Sequence, residues 1–434
     1  MTKQIIHSFM LTVLFSVAAF IFCPADKISA ETGNPPVITS EAYILLDAGT
    51  GQILYEKNMH QKHYPASLTK ILTALLVFEQ GGKLTDKIIM SEEAVLSIEP
   101  NSSHIALDVG EEITLEQALN AMAVASANDA ANGIAEYLAG DLDSFGIMMT
   151  KKAAALGAKK SSFINAHGLP DENHYSTAYD LALIMMHAIK NPDFRQILSK
   201  RRYEMQPTNC QPEVRYLNNT NPLLNGKFAY EGIIAGKNGW TKDAQYTLAT
   251  AAQKNGRELV VVALRNPDQE DICVDAIKLL DYGFNAFREV TVSSKLDADL
   301  LDSYPELDPE KVTVEGPDTY SFLLHNSLEK DDINISLSFL QAQAHRPARL
   351  LVAYTLPDNP FMYERIGEVR YTSAEKPVQD GEEGAASASW PRVLLNILFA
   401  LITFVALCRL RVFIRKKRRR RRFLRRRVYR YRGY

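Results

Sequence analysis

The feature that most constrains the fold of this chain is the placement of strand patterns at both ends of one long region that is otherwise helical. Alternating apolar residues predict two strands joined by a Gly-containing turn and two more joined by an Asn-Gly turn, which is typical of a tight hairpin. The four predicted strands are Tyr43–Leu46, Gln52–Tyr55, Tyr246–Gln253 and Leu259–Leu264. We therefore expect an α+β domain over about residues 38–288.

Helical signals fill much of the interval between these hairpins, and one more helix follows them. The signals are apolar residues at helical spacing and residues that favour helix starts, including a Thr-Leu-Glu-Gln capping box. They predict helices over Leu68–Glu79, Thr114–Val124, Thr177–Lys190 and Val274–Phe287.

After Arg288 the pattern changes to short runs of apolar residues, several of them alternating with polar ones, separated by Pro, Asp, Asn and Gly. These runs predict a small all-β domain over residues 289–372. The predicted strands are Lys311–Val314, Tyr320–Leu324, Ile333–Phe339, Leu350–Tyr354 and Gly367–Tyr371. Residues 373–389 are rich in Ala, Ser, Glu and Gly and predict a linker.

The N-terminal end predicts export. Lys3 precedes the uncharged run Phe9–Phe22, and the small residues that end at Ala30 match the cleavage site of a secretory signal peptide over residues 1–30. An uncleaved anchor helix is the alternative. Either one exports the body of the protein.

The C-terminal end predicts a membrane anchor. The 434-residue chain has a formal net charge of −2, yet 15 of its 49 Lys and Arg lie in residues 409–434, which contain no Asp or Glu. Residues 390–411 predict a transmembrane helix, since Val393–Cys408 carries no charge. The basic tail, 412–434, is expected on the cytoplasmic side against anionic membrane lipid. Nucleic acid is the alternative partner of such a tail and is not expected beside a membrane helix.

Several kinds of site lack support in the sequence. There is no His-Glu-x-x-His zinc motif and no Gly-x-Ser-x-Gly nucleophile motif. His167 and His174 lie in a loop that contains Gly and Asp, and we expect both to organise that loop. No metal or cofactor is expected. Cys210 and Cys273 are the two cysteines of the body, and the sequence leaves open whether they pair.

The positive signal begins with Ser67-Leu68-Thr69-Lys70, at the start of a predicted helix. The spacing puts Ser67 and Lys70 on one helix face, where an amine can take the hydroxyl proton. The helix N-terminus also favours negative charge that develops there. Alone, this tetrad is a weak signal, because Ser327–Lys330 and Ser373–Lys376 match it as well. Those two lie in the predicted β-domain and linker, without a long apolar helix after them.

Two further patterns follow along the chain. Ser126-Ala127-Asn128 is the only Ser-x-Asn and closes a predicted helix, so its hydroxyl can relay a proton and its amide can hold a peptide carbonyl. Lys237-Asn238-Gly239 is predicted to come just before a strand. A second Lys-Asn-Gly, at 254–256, forms the predicted hairpin turn. Position 237 is the better candidate, because Gly236 and Gly239 permit close backbone approach to a ligand.

The order Ser-x-x-Lys, Ser-x-Asn, Lys-x-Gly, at separations of 59 and 111 residues, resembles the penicillin-binding protein and serine β-lactamase superfamily. Further segments look like the low-molecular-mass D-alanyl-D-alanine carboxypeptidases, and this match spans about residues 38–288. They are Ala42–Asp47 with Gly49–Gly51, Phe163–Pro170, Asn218–Leu224 and Leu279–Phe284. The resemblance implies an α+β catalytic domain of that type, followed by a small all-β domain and a C-terminal transmembrane helix. It also implies a bacterial cell membrane, with the catalytic domain outside.

The resemblance implies a role for each matched residue of the first two motifs. Ser67 would be the acylated nucleophile and Lys70 its base. Ser126 would help to protonate the leaving D-alanine, and Asn128 would line the cleft. A free lysine has a pKa of about 10.4, and burial beside a second ammonium lowers it. Lys70 is therefore expected to be neutral.

The third motif would bind the substrate. Lys237 would be charged and face the terminal carboxylate, and the N–H of Trp240 would form an oxyanion hole with that of the nucleophile. Asn238, Gly239 and Thr241, together with Asn128, would be the other substrate-binding residues. The family pattern usually has Thr where this chain has Asn238. Either Asn238 donates a hydrogen bond toward the carboxylate, or it turns away, or it marks a weakened site.

The implied substrates are peptidoglycan stem peptides ending in D-Ala-D-Ala, with β-lactams as covalent inhibitors. A class A β-lactamase would need a deacylating Glu after Ser126, whereas the Glu-x-x-Leu-Asn of Glu116–Asn120 precedes it. A non-catalytic β-lactam sensor would need a signalling domain that the short basic tail does not provide. A D,D-endopeptidase acting on cross-linked peptidoglycan stays open as an alternative.

Overall fold

The computed structural model describes residues 34–80, 82–293, 312–315, 319–330, 334–340, 349–355 and 367–373. Its helices are α1 (Thr69–Glu79), α2 (Glu92–Leu96), α3 (Leu115–Val124), α4 (Asn128–Ala139), α5 (Leu142–Ala155), α6 (Ala178–Ala188), α7 (Pro192–Leu198), α8 (Pro222–Asn225) and α9 (Gln269–Asn285). Its strands are β1 (Ala42–Asp47), β2 (Ile53–Lys57), β3 (Lys87–Ile89), β4 (Glu112–Thr114), β5 (Arg202–Met205), β6 (Arg215–Asn218), β7 (Ile233–Thr241), β8 (Gln245–Lys254), β9 (Arg257–Asn266), β10 (Phe287–Ser293), β11 (Val312–Glu315), β12 (Thr319–His325), β13 (Asn334–Leu340), β14 (Arg349–Thr355) and β15 (Gly367–Ser373).

The centre of the fold is a five-stranded antiparallel sheet in the order β2-β1-β9-β8-β7. Both predicted hairpins are confirmed. Asn255 and Gly256, between β8 and β9, have φ values of 51° and 83°, as a type I′ turn requires. Since β1 pairs with β9, the two ends of the domain close on each other in one sheet. Strand β7 lies at one edge of it.

Both faces of this sheet are buried, which explains the apolar composition of its inner strands. Alternate residues of β1 point to opposite faces, so that Ile44 packs with the helices α1, α3, α4 and α6 while Leu45 packs with α9. In β9, Val260 and Val261 divide in the same way. Helices therefore cover both faces of an antiparallel sheet, and the predicted α+β class of this region is confirmed.

The predicted helices are present, with small changes in their bounds. Helix α3 begins with the predicted capping box, in which the Thr114 hydroxyl accepts from the N–H of Gln117 and the Gln117 side chain accepts from the N–H of Thr114. A single 3₁₀ turn, Ala66–Leu68, precedes α1. Helix α9 ends at Asn285, so the predicted end at Phe287 is wrong. The chain turns into β10 there.

The strands predicted after Arg288 are also present, as β11 to β15. They form a four-stranded sheet, β11-β15-β14-β13, and β12 pairs with β10. The Gln52 side chain exchanges two hydrogen bonds with the backbone of Leu323, which fastens β12 to the β1–β2 turn. A separate domain with bounds 289–372 stays a prediction.

The predicted signal peptide, transmembrane helix and basic tail lie outside the described residues, as does the predicted linker beyond Ser373. Within the described ranges, no helix is both long enough and apolar enough to cross a membrane.

Cys210 and Cys273, whose pairing the sequence left open, do not form a disulfide. Cys210 is exposed, Cys273 is buried, and both are free thiols.

Candidate active site

The turn that carries Ser67 is tightly enclosed by backbone. Ala66 has a φ of 48°, in the left-handed region. This conformation destabilises a non-glycine residue by about 1–2 kcal/mol. A Cβ at Gly168 would overlap the Ala66 carbonyl, and one at Gly239 would lie 2.6 Å from the Ser67 nitrogen. Gly168, in the loop before α6, and Gly239, in β7, thus allow this loop and this strand to pack closely against the turn that carries Ser67.

The two side chains of the first motif meet as predicted. Lys70 Nζ lies 3.0 Å from Ser67 Oγ, 2.7 Å from Asn128 Oδ1 and 3.0 Å from the main-chain oxygen of His167. The last two atoms are carbonyl oxygens and can only accept, so they take two amine hydrogens. A neutral Lys70 then has its lone pair left for the Ser67 O–H.

The electrostatics favour that neutral amine. Lys70 is fully buried. Burial lowers its pKa well below the usual value, and the charge of Lys237 lowers it further, while Asp129 acts weakly in the opposite direction. The lowered pKa favours the neutral amine, which is the form of Lys70 that can accept the Ser67 proton.

Ser126 lies in the loop between α3 and α4, and Asn128 is the first residue of α4. The Ser126 hydroxyl donates to Ser67 Oγ over 3.1 Å. Ser126 has a φ of 59°, and the Asn128 N–H donates to the Ser103 carbonyl over 2.8 Å, so a strained turn is held in place. The second motif thus contacts the first through both of its polar side chains.

Lys237 lies inside β7, so the prediction that it precedes a strand is wrong. The two glycines beside it, which weaken a strand pattern, belong to β7 as well. Lys237 is 1% exposed, and its Nζ donates to the Asn238 carbonyl over 2.9 Å. Burial lowers its pKa to about 7. The expected permanent charge on Lys237 is therefore only partial in the free protein at neutral pH.

The remaining residues of the third motif divide between the cleft and a neighbouring loop. Trp240 and Thr241 line a cleft of about 420 Å³ together with Ser67, Asn128 and Gly168. Trp240 is 59% exposed. The Asn238 side chain instead exchanges hydrogen bonds with Thr220, in the loop between β6 and α8.

The two histidines organise their loop, as predicted. The Nδ1 of His174 accepts from the Ile164 N–H, so its Nε2 carries the hydrogen that is donated to Thr69 Oγ1. The Nδ1 of His167 accepts from the Leu169 N–H. Sequence reasoning missed that the His167 carbonyl contacts Lys70, because a main-chain acceptor has no residue signature.

Sequence reasoning also missed Thr220, although it lies within the Asn218–Leu224 segment.

The second Ser-x-x-Lys tetrad, Ser327–Lys330, follows β12, where the Ser327 hydroxyl lies 2.7 Å from Nδ1 of His325. It has no contact with the cleft among the described residues.

A helix start with a serine and a buried lysine, faced by a Ser-x-Asn loop and a Lys-bearing edge strand, defines a serine peptidase with the penicillin-binding and β-lactamase-like fold. The family model described as D-alanyl-D-alanine carboxypeptidase matches residues 29–268. The chain belongs to this family.

Named relatives agree with this assignment. The D-alanyl-D-alanine carboxypeptidase DacF of Bacillus subtilis (strain 168) is 33% identical over 282 residues, which cover 64% of this chain and 70% of the relative. DacA of Haemophilus influenzae is 32% identical over 286 residues, with 64% and 70% covered. Penicillin binding protein 5 from Haemophilus influenzae has a TM-score of 0.61 at 25% identity, over 79% of this chain and 98% of that structure.

Proposed function

We propose that this protein removes the terminal D-alanine from peptidoglycan stem peptides ending in D-Ala-D-Ala, through an acyl-enzyme on Ser67. The observation that carries the proposal is the set of contacts around Lys70 Nζ. The carbonyl oxygens of Asn128 and His167 accept its hydrogens, so its lone pair is directed at the Ser67 hydroxyl. The base is oriented before the substrate arrives.

In the acylation step, Ser67 Oγ attacks the carbonyl carbon of the penultimate D-alanine and its proton passes to Lys70. The leaving nitrogen must gain a proton before the C–N bond breaks. Ser126 Oγ, 3.1 Å from Ser67 Oγ, can give its proton to that nitrogen and be reprotonated by the Lys70 ammonium. D-Alanine departs, and Ser67 is left as an ester.

In the deacylation step, water attacks the ester carbonyl and Lys70, neutral again, takes the water proton. That proton returns to Ser67 Oγ as the ester bond breaks. A β-lactam acylates Ser67 in the same way, but its leaving nitrogen stays tethered to the opened ring. It continues to occupy the cleft, which accounts for a long-lived acyl-enzyme.

Substrate binding uses the edge strand β7. The N–H groups of Ser67 and Trp240 would stabilise the oxyanion, and the absence of a side chain at Gly239 lets strand and turn approach. Lys237 would attract the terminal carboxylate, which in turn stabilises its ammonium form. Thr241 lies on the cleft wall beside them.

The sequence patterns at the two ends support export and anchoring. Residues 1–30 would direct the body across the membrane, and residues 390–411 would hold it there with the catalytic domain outside. The basic tail, 412–434, would lie against anionic lipid on the cytoplasmic side.

The test is D-alanine release from a diacetylated Lys-D-Ala-D-Ala tripeptide by the full chain in detergent, with Ser67→Ala as the matched control. We expect release by the parent and none by Ser67→Ala. A parent that binds fluorescent penicillin but releases no D-alanine would be a sensor. Release only from cross-linked peptides would identify an endopeptidase.

A further inference from the structure

Asn238 departs from the family pattern, and its side chain has a defined partner. Its Nδ2 donates to the main-chain oxygen of Thr220 over 3.2 Å, and the Thr220 hydroxyl donates to Asn238 Oδ1 over 3.1 Å. Asn238 is partly buried between Lys237 and Gly239. Both polar atoms of the Asn238 side chain are therefore held by one residue.

This exchange determines which way the amide points. The Thr220 carbonyl can only accept, so the amide nitrogen must face it, and the hydroxyl then covers Oδ1. The amide nitrogen carries two hydrogens. One binds Thr220, and the other has no acceptor among the described residues.

Thr220 itself is held at the end of the cleft where Ser126 lies. Its N–H donates to the carbonyl of Val124, two residues before Ser126, over 3.1 Å. The preceding residue, Asn219, is buried and donates to the Lys200 carbonyl over 2.7 Å. Lys237 Nζ bonds the main-chain carbonyl of Asn238, so the amine lies next to the residue that Thr220 holds.

We propose that Thr220 is a positioning residue that orients the Asn238 amide so that N–H, rather than C=O, meets the terminal carboxylate of the substrate. The proposal rests on the proposed function. Thr220 makes no contact with the substrate. With it in place, Asn238 can supply the hydrogen that a Thr hydroxyl supplies elsewhere. Without its hydroxyl, one of the two hydrogen bonds that fix this orientation is lost, and the amide turns over more easily to present an oxygen that a carboxylate repels.

The experiment compares Thr220→Val with Thr220→Ser, in the parent and in an Asn238→Thr background. Valine keeps the shape and removes the hydroxyl, whereas serine keeps the hydroxyl. The measurement is kcat and KM for D-alanine release by the full chain, with thermal unfolding to confirm that each variant folds.

In the parent, Thr220→Val should lower kcat/KM about 3- to 10-fold, the range for losing one hydrogen bond, and Thr220→Ser should stay within about twofold. In the Asn238→Thr background the valine should have little effect, because a hydroxyl at 238 needs no orientation. An equal loss in both backgrounds would show that Thr220 only supports its loop. No loss in the parent would also overturn the proposal.

The rate of acylation by fluorescent penicillin is measured for the same variants, Thr220→Val and Thr220→Ser in the parent and in the Asn238→Thr background. Penicillin also carries a carboxylate, so its acylation tests the same contact. A parent that is acylated but releases no D-alanine would contradict the carboxypeptidase function, and the dependence on residue 238 would still test the role of Thr220.

Discussion

At the scale of single residues, the site depends on two buried lysines that make no ion pair among the described residues. Burial lowers the pKa of both. The charge of Lys237 lowers the pKa of Lys70 further, which favours the proposed division of the pair into a base and a cation. In the proposed mechanism, the carbonyl oxygens of Asn128 and His167 orient the Lys70 amine toward Ser67.

This proposed division predicts how kcat/KM for D-alanine release depends on pH. A lysine is charged below its pKa, so kcat/KM should fall as the pH rises through about 7, where free Lys237 loses its proton. The fall in kcat should occur at higher pH, because a bound carboxylate stabilises the ammonium. Steady-state kinetics across this range measure both. A kcat/KM that still rises above neutral pH would contradict the assignment.

The matched variants are Lys237→Gln and Lys200→Gln. Burial lowers the pKa of Lys200 too, but its ammonium bonds to Asn120. Lys237→Gln should lower kcat/KM about 10- to 150-fold, as for a lost hydrogen bond to a charged group, and should remove the decline near pH 7. Lys200→Gln should keep the decline.

The sequence predicted the pairing of Ser67 with Lys70 because helical spacing alone brings their side chains together. It did not predict the His167 carbonyl or Thr220. Both contacts depend on loops that fold back from distant parts of the chain, and nothing in the residue types marks them.

At the scale of elements, the loop Phe163–Pro170 is bound to α1. The Thr73 hydroxyl donates to the Ala166 carbonyl over 2.7 Å, and Lys70 donates to the next carbonyl. Gly168 then lies against the Ala66 backbone. The loop therefore supports the turn that presents Ser67.

Replacing Gly168 tests this support. It has a φ of 91°, so Gly168→Ala carries both backbone strain and overlap with Ala66. We expect a loss of about 2–5 kcal/mol in the free energy of unfolding, combining left-handed strain with overpacking, and a slower acylation of Ser67.

The control is Gly110→Ala, which has a φ of 81° and nothing within 4 Å of the added Cβ. It should cost about 1–2 kcal/mol from strain alone. Urea unfolding and penicillin acylation rates measure both effects. Equal losses in the two variants would mean that close packing at Gly168 does not matter.

Helix starts were predictable because their signals are local, as the capping box of α3 shows. The strand β7 was harder to predict. Its two glycines break the alternation, and only pairing with β8 makes that stretch a strand.

At the scale of the whole molecule, one sheet draws its strands from both ends of the catalytic region, because β1 pairs with β9. The hairpin patterns predicted strands at both ends of this region but not the pairing of β1 with β9 in one sheet. The seating of α3, α4 and the Ser126 loop on the sheet depends on packing that no local pattern encodes.

The predicted anchor gives a test at this scale. Deleting residues 390–434 should release an active protein to the outside, with peptide turnover within a few fold of the parent, since the described cleft uses no residue beyond Asp243. Fractionation and activity assays measure both. A deleted form that stays on the membrane would point to an uncleaved N-terminal anchor.

The most direct test of the central claim is to locate the acyl group. The full chain is treated with a penicillin, digested, and analysed by mass spectrometry, beside Ser67→Ala and Ser126→Ala. We predict one penicilloyl adduct on the peptide that contains Ser67, slower formation in Ser126→Ala and no adduct in Ser67→Ala. An adduct on any other residue, or one that persists in Ser67→Ala, would contradict the account.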